Sequence, residues 1–184
     1  FSDKETVQRA ELILNDFNLK PENRRVVLPA RRAAQEAVEL KRGSEGIFCG
    51  AALELPDGLI ITGSNSPLMH AASSVVIHAI KHLAGIPDKI KLLPATITGS
   101  IGRLKTEILN EKNVSLDLEE ALIALAISAT TNPAAELALG KLEELRNCEV
   151  HMTHIPTPGD EAGLRRMGAN LTSDPNFSTN DLFM

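Results

Sequence analysis

The pattern of apolar and polar positions is clearest between residues 50 and 85. Two short apolar runs, at 51–55 and 59–62, flank the tripeptide Pro-Asp-Gly at 56–58. Such a turn supplies a preset φ, an acceptor side chain and a glycine free to take positive φ. The runs are therefore predicted to be two adjacent antiparallel strands.

The hairpin is followed by T-G-S-N-S-P at 62–67 and by apolar residues at helical spacing to about residue 84. Ser66 is predicted to be the N-cap of this helix and Pro67 its first residue. Its apolar face should lie against the sheet. Four polar residues at intervals of four form a second stripe: His70, Ser74, His78 and His82.

The same patterns predict the other elements. Helices are expected at 5–18, 29–43, 95–109, 117–129 and 132–145, with a short one to Gly168 capped by Asp160. The predicted fold is α/β, a three-layer mixed sheet with helices on both faces and a helical pair. Its five strands are expected near Val26, Ala51, Ile60, Lys91 and Val150.

Length predicts one domain: a single α/β domain at 1–175 with a helical insertion at about 95–146, and a tail at 176–184. The chain has 184 residues and begins with Phe1 rather than Met. It is therefore expected to be a fragment of a longer protein.

Composition excludes several classes of function. The net charge is -5, and there are five Phe with no Trp or Tyr, so nucleic-acid binding is not expected. No apolar run is long enough to span a bilayer, and no membrane partner is expected. Cys49 and Cys148 form no disulfide framework, which favours a cytoplasmic location.

Histidine spacing does not favour a metal site. His151 and His154 fall in a predicted strand at 148–155, where residues three apart point to opposite faces. His78 and His82 share a helix face, but the Glu of H-E-x-x-H is missing. We expect neither a metal nor a cofactor.

Four arginines flank the point where the strand near Val26 meets its helix: Arg24, Arg25, Arg31 and Arg32. An anion could sit there, with Arg31 and Arg32 as contacts. The alternative is a solvated cluster that pairs with acidic neighbours.

The corner between the second strand and its helix is the candidate site. Free N–H groups at a helix start attract an anion, whereas the alternative is a plain helix cap. His70 is the candidate general acid or base. The serines beside it lack a G-x-S-x-G elbow, and no P-loop is present. The candidate ligand-binding residues are Thr62, Gly63, Ser64, Asn65, Ser66 and His70.

Five segments together resemble the C-terminal part of uncharacterised protein family 0371, a bacterial group: GAALELPDG, TGSNSPLMHAASS, AIKHLAGIPD, SLDLEEALIALAISATTNPAAELAL and ELRNCEVHMTHIPTPGDEAGLRRMGANLTSD. Some members carry the label ATP-dependent zinc peptidase, and no motif here supports either half of it. The resemblance implies a fold and a longer parent protein more than a function.

The hairpin and helix are also similar to the core of cytidine deaminase-like folds, in which a zinc-ligating His or Cys precedes Ala-Glu. Ala72 stands where that Glu would be, and the chain has no C-x-x-C. The resemblance implies a shared fold without the zinc chemistry.

Three functions are open at this point. The first is a domain, an enzyme or a binder, that holds a small anionic metabolite at the 62–70 corner. The second is an assembly domain whose helices at 117–145 pack on an N-terminal part or another subunit, as a homo-oligomer. The third, a metal-dependent hydrolase, has the least support.

Overall fold

The structure is a computed structural model that describes residues 4–177. This part of the chain contains seven α-helices and four β-strands. In chain order they are α1 (Lys4–Asp16), α2 (Val27–Glu39), β1 (Gly50–Glu54), β2 (Ile60–Ser64), α3 (Ala71–Leu83), α4 (Ala95–Arg103), α5 (Leu118–Ala129), α6 (Pro133–Leu139), β3 (Glu149–Met152), α7 (Pro158–Arg166) and β4 (Asn170–Ser173).

The four strands form one mixed sheet in the order β2-β1-β3-β4. β1 is antiparallel to both β2 and β3, whereas β3 and β4 are parallel. The predicted hairpin is confirmed: Gly58 has a φ of 85°, and the Leu59 N–H donates to Asp57 Oδ1 at 3.0 Å. Its turn therefore uses the glycine and the Asx acceptor as the sequence indicated.

Helices cover both faces of the sheet. Ala51, Leu53 and Val150 belong to the main core, which lies on the α3 side, while Ala52 packs with Val26 and Ala30 under α2. Two glycines permit close approach. A Cβ at Gly50 would lie 2.2 Å from Ala30 O, and one at Gly63 would lie 2.5 Å from Val75 N. The α/β prediction, with a mixed sheet and helices on both faces, is confirmed.

Two of the five predicted strands are wrong. The run near Val26 leads into α2, which buries Val27, Ala30 and Ala37 at helical spacing, so its apolar residues are a helix face. Pro29 lies in the first turn of that helix, where its missing N–H costs no hydrogen bond. The run near Lys91 forms no strand, although Leu92 and Leu93 are buried in the main core.

β4 was not predicted from the sequence. Buried and exposed residues do not alternate along β4, because three of its four residues, Asn170, Thr172 and Ser173, are exposed. The sequence of an edge strand that buries little apolar surface does not show a clear alternation of apolar and polar residues. It pairs with β3 through the backbone, from Glu149 opposite Asn170 to Met152 opposite Ser173.

The helical pair α5 and α6 forms as expected. Asp117 and Glu120 make a reciprocal capping box at the start of α5, and Asn132 caps α6. α6 ends at Leu139 rather than near residue 145, and a short 3₁₀ turn, Leu142–Leu145, follows. α4 continues as a π-helical turn, Leu104–Ile108.

Other parts of the chain contribute less to the core. α1 is an amphipathic helix whose apolar residues Leu12 and Ile13 are exposed, as is Phe17 just after its end. Most of the expected tail at 176–184 lies outside the described residues. Across the described residues, none of the helices combines the length and apolar character needed to cross a bilayer.

Candidate functional site

A cavity of about 320 Å³ opens beside the start of α3. Its walls come from the turn at 44–47, the loop at 113–115, the segment after β3 and the first turn of α7. The polar lining residues include Asn65, His70, Asn113, Thr157 and Asp160, and the apolar ones include Ile47, Ala71, Met152 and Ile155.

His70 lies at the end of an extended segment and directly precedes α3. The predicted helix start at Pro67 is wrong, because α3 begins at Ala71 with His70 in the N-cap position. The reason is a short parallel pairing. The His70 N–H donates to Leu116 O, and the Leu116 N–H donates to Leu68 O, each at 2.9 Å. This pairing holds the segment extended.

Ser66 therefore does not cap α3. Its hydroxyl oxygen accepts from the N–H groups of Leu68 at 3.2 Å and Met69 at 3.3 Å, which makes a local turn before the extended segment. The Ser73 hydroxyl donates to Leu116 O at 3.0 Å and is buried. Neither serine lines the cavity, so a serine nucleophile at His70 finds no support.

Asp160 is the buried centre of the site, with 2% of its surface exposed. Its Oδ1 accepts from the Leu118 N–H at 2.9 Å, while Oδ2 accepts from Thr157 Oγ1 at 2.8 Å and lies 2.8 Å from His70 Nδ1. The starts of α3, α5 and α7 thus meet at one carboxylate, and their dipoles favour its negative charge.

Asp160 was expected to cap the short helix to Gly168, and this detail is wrong. The N-cap is Thr157, whose hydroxyl oxygen accepts from the Asp160 N–H at 3.3 Å. Asp160 lies three residues later, in the first turn of α7. Its side chain hydrogen-bonds to the first residue of α5 and to His70 instead of capping α7.

The hydrogen bond to Asp160 sets the tautomer of His70. A carboxylate beside Nδ1 keeps the proton on that nitrogen, so the neutral ring has its lone pair on Nε2. Nε2 lies 3.4 Å from Nδ2 of Asn113, another lining residue, which is a long contact. Asn113 Oδ1 accepts from Ser115 N at 2.9 Å and Ser115 Oγ at 2.6 Å, which turns its amide nitrogen toward His70.

Two opposing effects act on the pKa of His70, whose side chain is 17% exposed. Burial lowers the pKa, but the hydrogen bond and charge of Asp160, with a further contribution from Asp117, raise it above the usual value. A group whose pKa is held up in this way can serve as an acid or a base near neutral pH.

The first turn of α3 supplies backbone donors. Among the described residues, no acceptor pairs with the N–H groups of Ala71, Ala72 and Ser73, and the first bond is Ser74 N–H to His70 O at 3.0 Å. These groups carry the positive end of a 13-residue helix dipole. Ala71 lines the cavity, so this end of the helix adjoins it.

Of the six candidate ligand-binding residues, Asn65 and His70 line the cavity, and Thr62, Gly63, Ser64 and Ser66 do not. Asn65 is already held: its Oδ1 accepts from Cys49 N at 2.8 Å and its Nδ2 donates to Ile47 O at 3.0 Å. Gly63 packs against α3, as described above. The ligand role of these six residues stays a prediction.

The candidate arginines lie away from the cavity. α2, which carries Arg31 and Arg32, packs on the opposite face of the sheet from α3. Arg31 donates to both oxygens of Asp174, at 2.9 and 2.8 Å, and also pairs with Glu22. Arg32 is exposed. Arg24 and Arg25 pair with Glu149 and Glu54, so the cluster resembles the solvated alternative.

The cavity offers no activated thiol. Cys49 lines it, but burial and the charge of Asp160 raise the pKa of this thiol to about 12, so it is protonated at neutral pH. The Ser115 hydroxyl donates to Asn113, as described above. Two histidines line the cavity, His70 and His154, and His70 is the one that directly precedes α3.

The histidines in and after β3, His151 and His154, do not form a joint metal site. His151 lies 2.9 Å from Thr172 Oγ1 through Nδ1, whereas His154 contacts Thr153 Oγ1 at 2.9 Å and lines the cavity. Within the described part of the chain, no three His, Cys, Asp or Glu side chains are grouped to hold an ion. The absence of a metal or cofactor stays a prediction.

Sequence reasoning missed Asp160, Thr157 and Asn113 as partners of His70. They lie 43 to 90 residues from it. The available signal was weak: P-T-P-G-D at 156–160 reads as an ordinary helix start.

Comparison with known proteins identifies the family. The model described as "Domain of unknown function DUF1846, C-terminal" matches residues 22–183. UPF0371 proteins of Clostridium botulinum strains Alaska E43 and Eklund 17B are each 45% identical over 185 residues, and that of strain Langeland is 43% identical over 183. Each match covers 100% of this chain and 36% of the relative. The chain belongs to this bacterial family and spans about a third of the length of these relatives.

Proposed function

We propose that this domain binds a small anionic metabolite in the cavity beside the start of α3. The observation that carries the proposal is the placement of His70. Asp160 holds one ring nitrogen at 2.8 Å, and both His70 and Ala71, the first residue of α3, line the cavity. A helix start combined with a histidine of raised pKa favours a negatively charged group.

The donors of the site fit a carboxylate or a phosphate. Backbone N–H groups at a helix start bind such oxygens, and the helix dipole adds about 0.3 to 1 kcal/mol. Protonated His70 supplies a formal charge, and Asn113 Nδ2 supplies a further N–H donor. The anion is therefore expected at the end of the cavity formed by His70 and Ala71.

Size and wall chemistry limit the rest of the ligand. About 320 Å³ is at the small end of ligand pockets. Ile47, Met152 and Ile155 contribute apolar surface to the lining, while Glu45 adds a negative charge. A compact metabolite with one anionic group and a short apolar body fits these walls. Highly charged ligands such as nucleoside triphosphates fit poorly.

Thermal denaturation with a ligand panel tests this proposal. The panel contains phosphate, sulfate, nucleotides, and small keto and hydroxy acids. We expect at least one small anion to raise Tm, and His70→Gln to reduce that shift. His82→Gln is the matched control, because His82 is exposed on the same helix and does not line the cavity. If no anion raises Tm, or if both variants weaken the shift equally, the proposal fails.

A second candidate, assembly, has its own supporting observation. Ile123 and Ile127 on α5 are 60% and 49% exposed, and Leu137 on α6 is 63% exposed. Exposed apolar clusters of this kind mark interaction surfaces. We infer that this surface packs on the polypeptide that the longer relatives carry before this region, or on a second copy in a homo-oligomer. Light scattering on wild type and on Ile123→Glu tests it: a monomer in both cases removes the homo-oligomer.

The proposal also covers the longer protein to which this domain belongs. The chain is proposed to be one α/β domain of a longer cytoplasmic protein. The extra length of the relatives and the two buried free cysteines, Cys49 and Cys148, support this setting. Limited proteolysis of the longer protein should release this domain intact.

A further inference from the structure

We propose that His70 and Asp160 form an acid–base pair that moves a proton on the molecule bound in the cavity, with no covalent bond to the protein. The inference rests on the proposed binding function and extends it to catalysis. The substrate class is a small carboxylate or phosphate that carries a C–H bond next to a carbonyl group.

The base in this pair is His70 Nε2. Its Nδ1 is anchored to Asp160, and Asp160 is itself fixed by the Leu118 N–H and the Thr157 hydroxyl. Turning the imidazole would break a hydrogen bond to a carboxylate that is 2% exposed. The ring is therefore held in one orientation and one tautomer, as general-base catalysis requires. Asp160 acts through His70 and is a positioning residue.

The cavity lacks the partner that nucleophilic catalysis needs. Cys49 holds its proton at neutral pH, and the Ser115 and Thr157 hydroxyls donate to Asn113 and Asp160. Among the described residues that line the cavity, no hydroxyl or thiol hydrogen-bonds to His70. A positioned base without an activated nucleophile favours proton transfer over acyl-enzyme chemistry.

The proposed step balances without a second reagent. The C–H bond next to the carbonyl breaks, its proton moves to Nε2, and the electron pair moves onto the carbonyl oxygen to form an enolate. The N–H group of Ala71, which lines the cavity at the start of α3, stabilises that oxygen as charge develops on it. The imidazolium exchanges its Nε2 proton with solvent and returns a proton to the same carbon, which restores the carbonyl compound and gives isotope exchange.

The apolar wall supports this reaction class over hydrolysis. Ile47, Met152 and Ile155 line the same cavity as the base, and apolar walls keep water away from a carbanion-like intermediate. A hydrolase would need a water held near Nε2 by polar groups, whereas Nε2 has the Asn113 amide at 3.4 Å beside it.

The test measures deuterium uptake by pyruvate, 2-oxobutyrate and dihydroxyacetone phosphate in D₂O, using proton NMR. For any of these that raises Tm, we expect wild type to exchange the proton at least about 100-fold faster than His70→Gln. His82→Gln should match wild type. Asp160→Asn should slow exchange and move the His70 proton from Nδ1 to Nε2, which ¹⁵N shifts of the imidazole report.

The outcomes separate the two proposals. If a compound binds but exchanges no faster than with His70→Gln, the catalytic inference is overturned and the binding function stands. If no anion of the wider panel binds, both are overturned. If ¹⁵N shifts place the proton of neutral His70 on Nε2 in wild type, the acid–base pair is wrong whatever binds.

Discussion

Two histidine–aspartate pairs lie on opposite faces of the same sheet and behave in opposite ways. His70 Nδ1 lies 2.8 Å from Asp160 Oδ2, and its pKa is raised. His151 Nε2 lies 3.3 Å from Asp174 Oδ1, and its pKa is lowered. Both pairs consist of a histidine beside an aspartate. The surroundings of each pair must therefore decide whether the pKa of the histidine is raised or lowered.

The second partner of each aspartate makes the difference. Asp160 receives neutral donors, the Leu118 N–H and the Thr157 hydroxyl, and among the described residues His70 is the cation that pairs with it. Asp174 accepts hydrogen bonds from Nε and Nη2 of Arg31, so its charge is largely compensated before His151 is considered. A carboxylate already paired with arginine attracts a second cation weakly.

The geometry and the burial of His151 also lower its pKa relative to that of His70. Although 3.3 Å is within ion-pair range, His151 Nε2 is not aligned for a hydrogen bond and has no hydrogen-bond partner in the described structure. Burial is the largest influence on the pKa of His151, and the charges of Arg24 and Arg31 lower it further. A short His–Asp distance therefore marks a candidate proton-transfer site only when no cation shares the carboxylate.

Removing each aspartate should give the largest difference between the two pairs. Asp160→Ala leaves the buried Leu118 N–H and His70 Nδ1 without an acceptor, and should cost roughly 3 to 5 kcal/mol of unfolding free energy. Asp174→Ala breaks an ion pair whose arginine side chain is 37% exposed, and should cost about 1 kcal/mol. Urea unfolding at pH 7 measures both, and equal losses would contradict the comparison.

The pH dependence of stability should have opposite signs at the two histidines. Because the pKa of folded His70 is raised, its contribution is complete below about pH 6.5 and is lost as pH rises through the folded value. Because the pKa of His151 is lowered, its contribution is complete above about pH 6.5 and is lost as pH falls through the folded value.

Unfolding midpoints in urea between pH 5 and 9 check these signs. His70→Gln should flatten the decline of stability on the alkaline side, and His151→Gln should flatten the decline on the acid side. The two changes should be opposite in sign along the pH axis, with sizes set by the shift of each pKa. If either variant changes the wrong side of the profile, the assignment of that histidine is incorrect.

How well an element was predicted from the sequence depended on how far apart in the chain its interacting residues lie. The β1–β2 hairpin and the caps at Asp117 and Asn132 were predicted because their signals lie within a few residues of one another. The strand near Val26 failed because a short apolar run fits a buried helix turn as well as a strand. β4 was missed because its pairing uses the backbone at an edge.

The site was predicted only in part for the same reason. Asn65 and His70 stand near the recognisable hairpin, and the cavity includes both. Asp160 comes to His70 from 90 residues away, and its local pattern is that of a helix start. The Met69–Leu116 pairing decides where α3 begins. The local pattern of apolar residues could not predict it either, because the two residues are far apart in the sequence.

Arg31→Gln should make His151 more like His70. It removes a cation that lowers the pKa of His151 and frees the Asp174 carboxylate, so this pKa should rise toward or above 6.5. NMR titration of the His151 ring protons measures the change. Arg32→Gln is the matched control on the same helix, because Arg32 is exposed and is not among the charges that act on His151. A similar rise in both variants would indicate a long-range charge effect.

Asn113→Ala should have the smallest effect on the tautomer of His70 and isolates the contribution of Asp160 to His70. Asn113 is exposed, but its Oδ1 accepts from the N–H and the hydroxyl of buried Ser115, so its removal should lower the unfolding free energy by about 1 to 2 kcal/mol. The 3.4 Å contact with Nε2 is too long to fix the imidazole, whereas the 2.8 Å bond from Asp160 remains. The ¹⁵N shifts of His70 should therefore still place the neutral-ring proton on Nδ1. A switch to Nε2 in this variant would mean that Asn113, and not Asp160, sets the tautomer, and would remove the main difference between the two pairs.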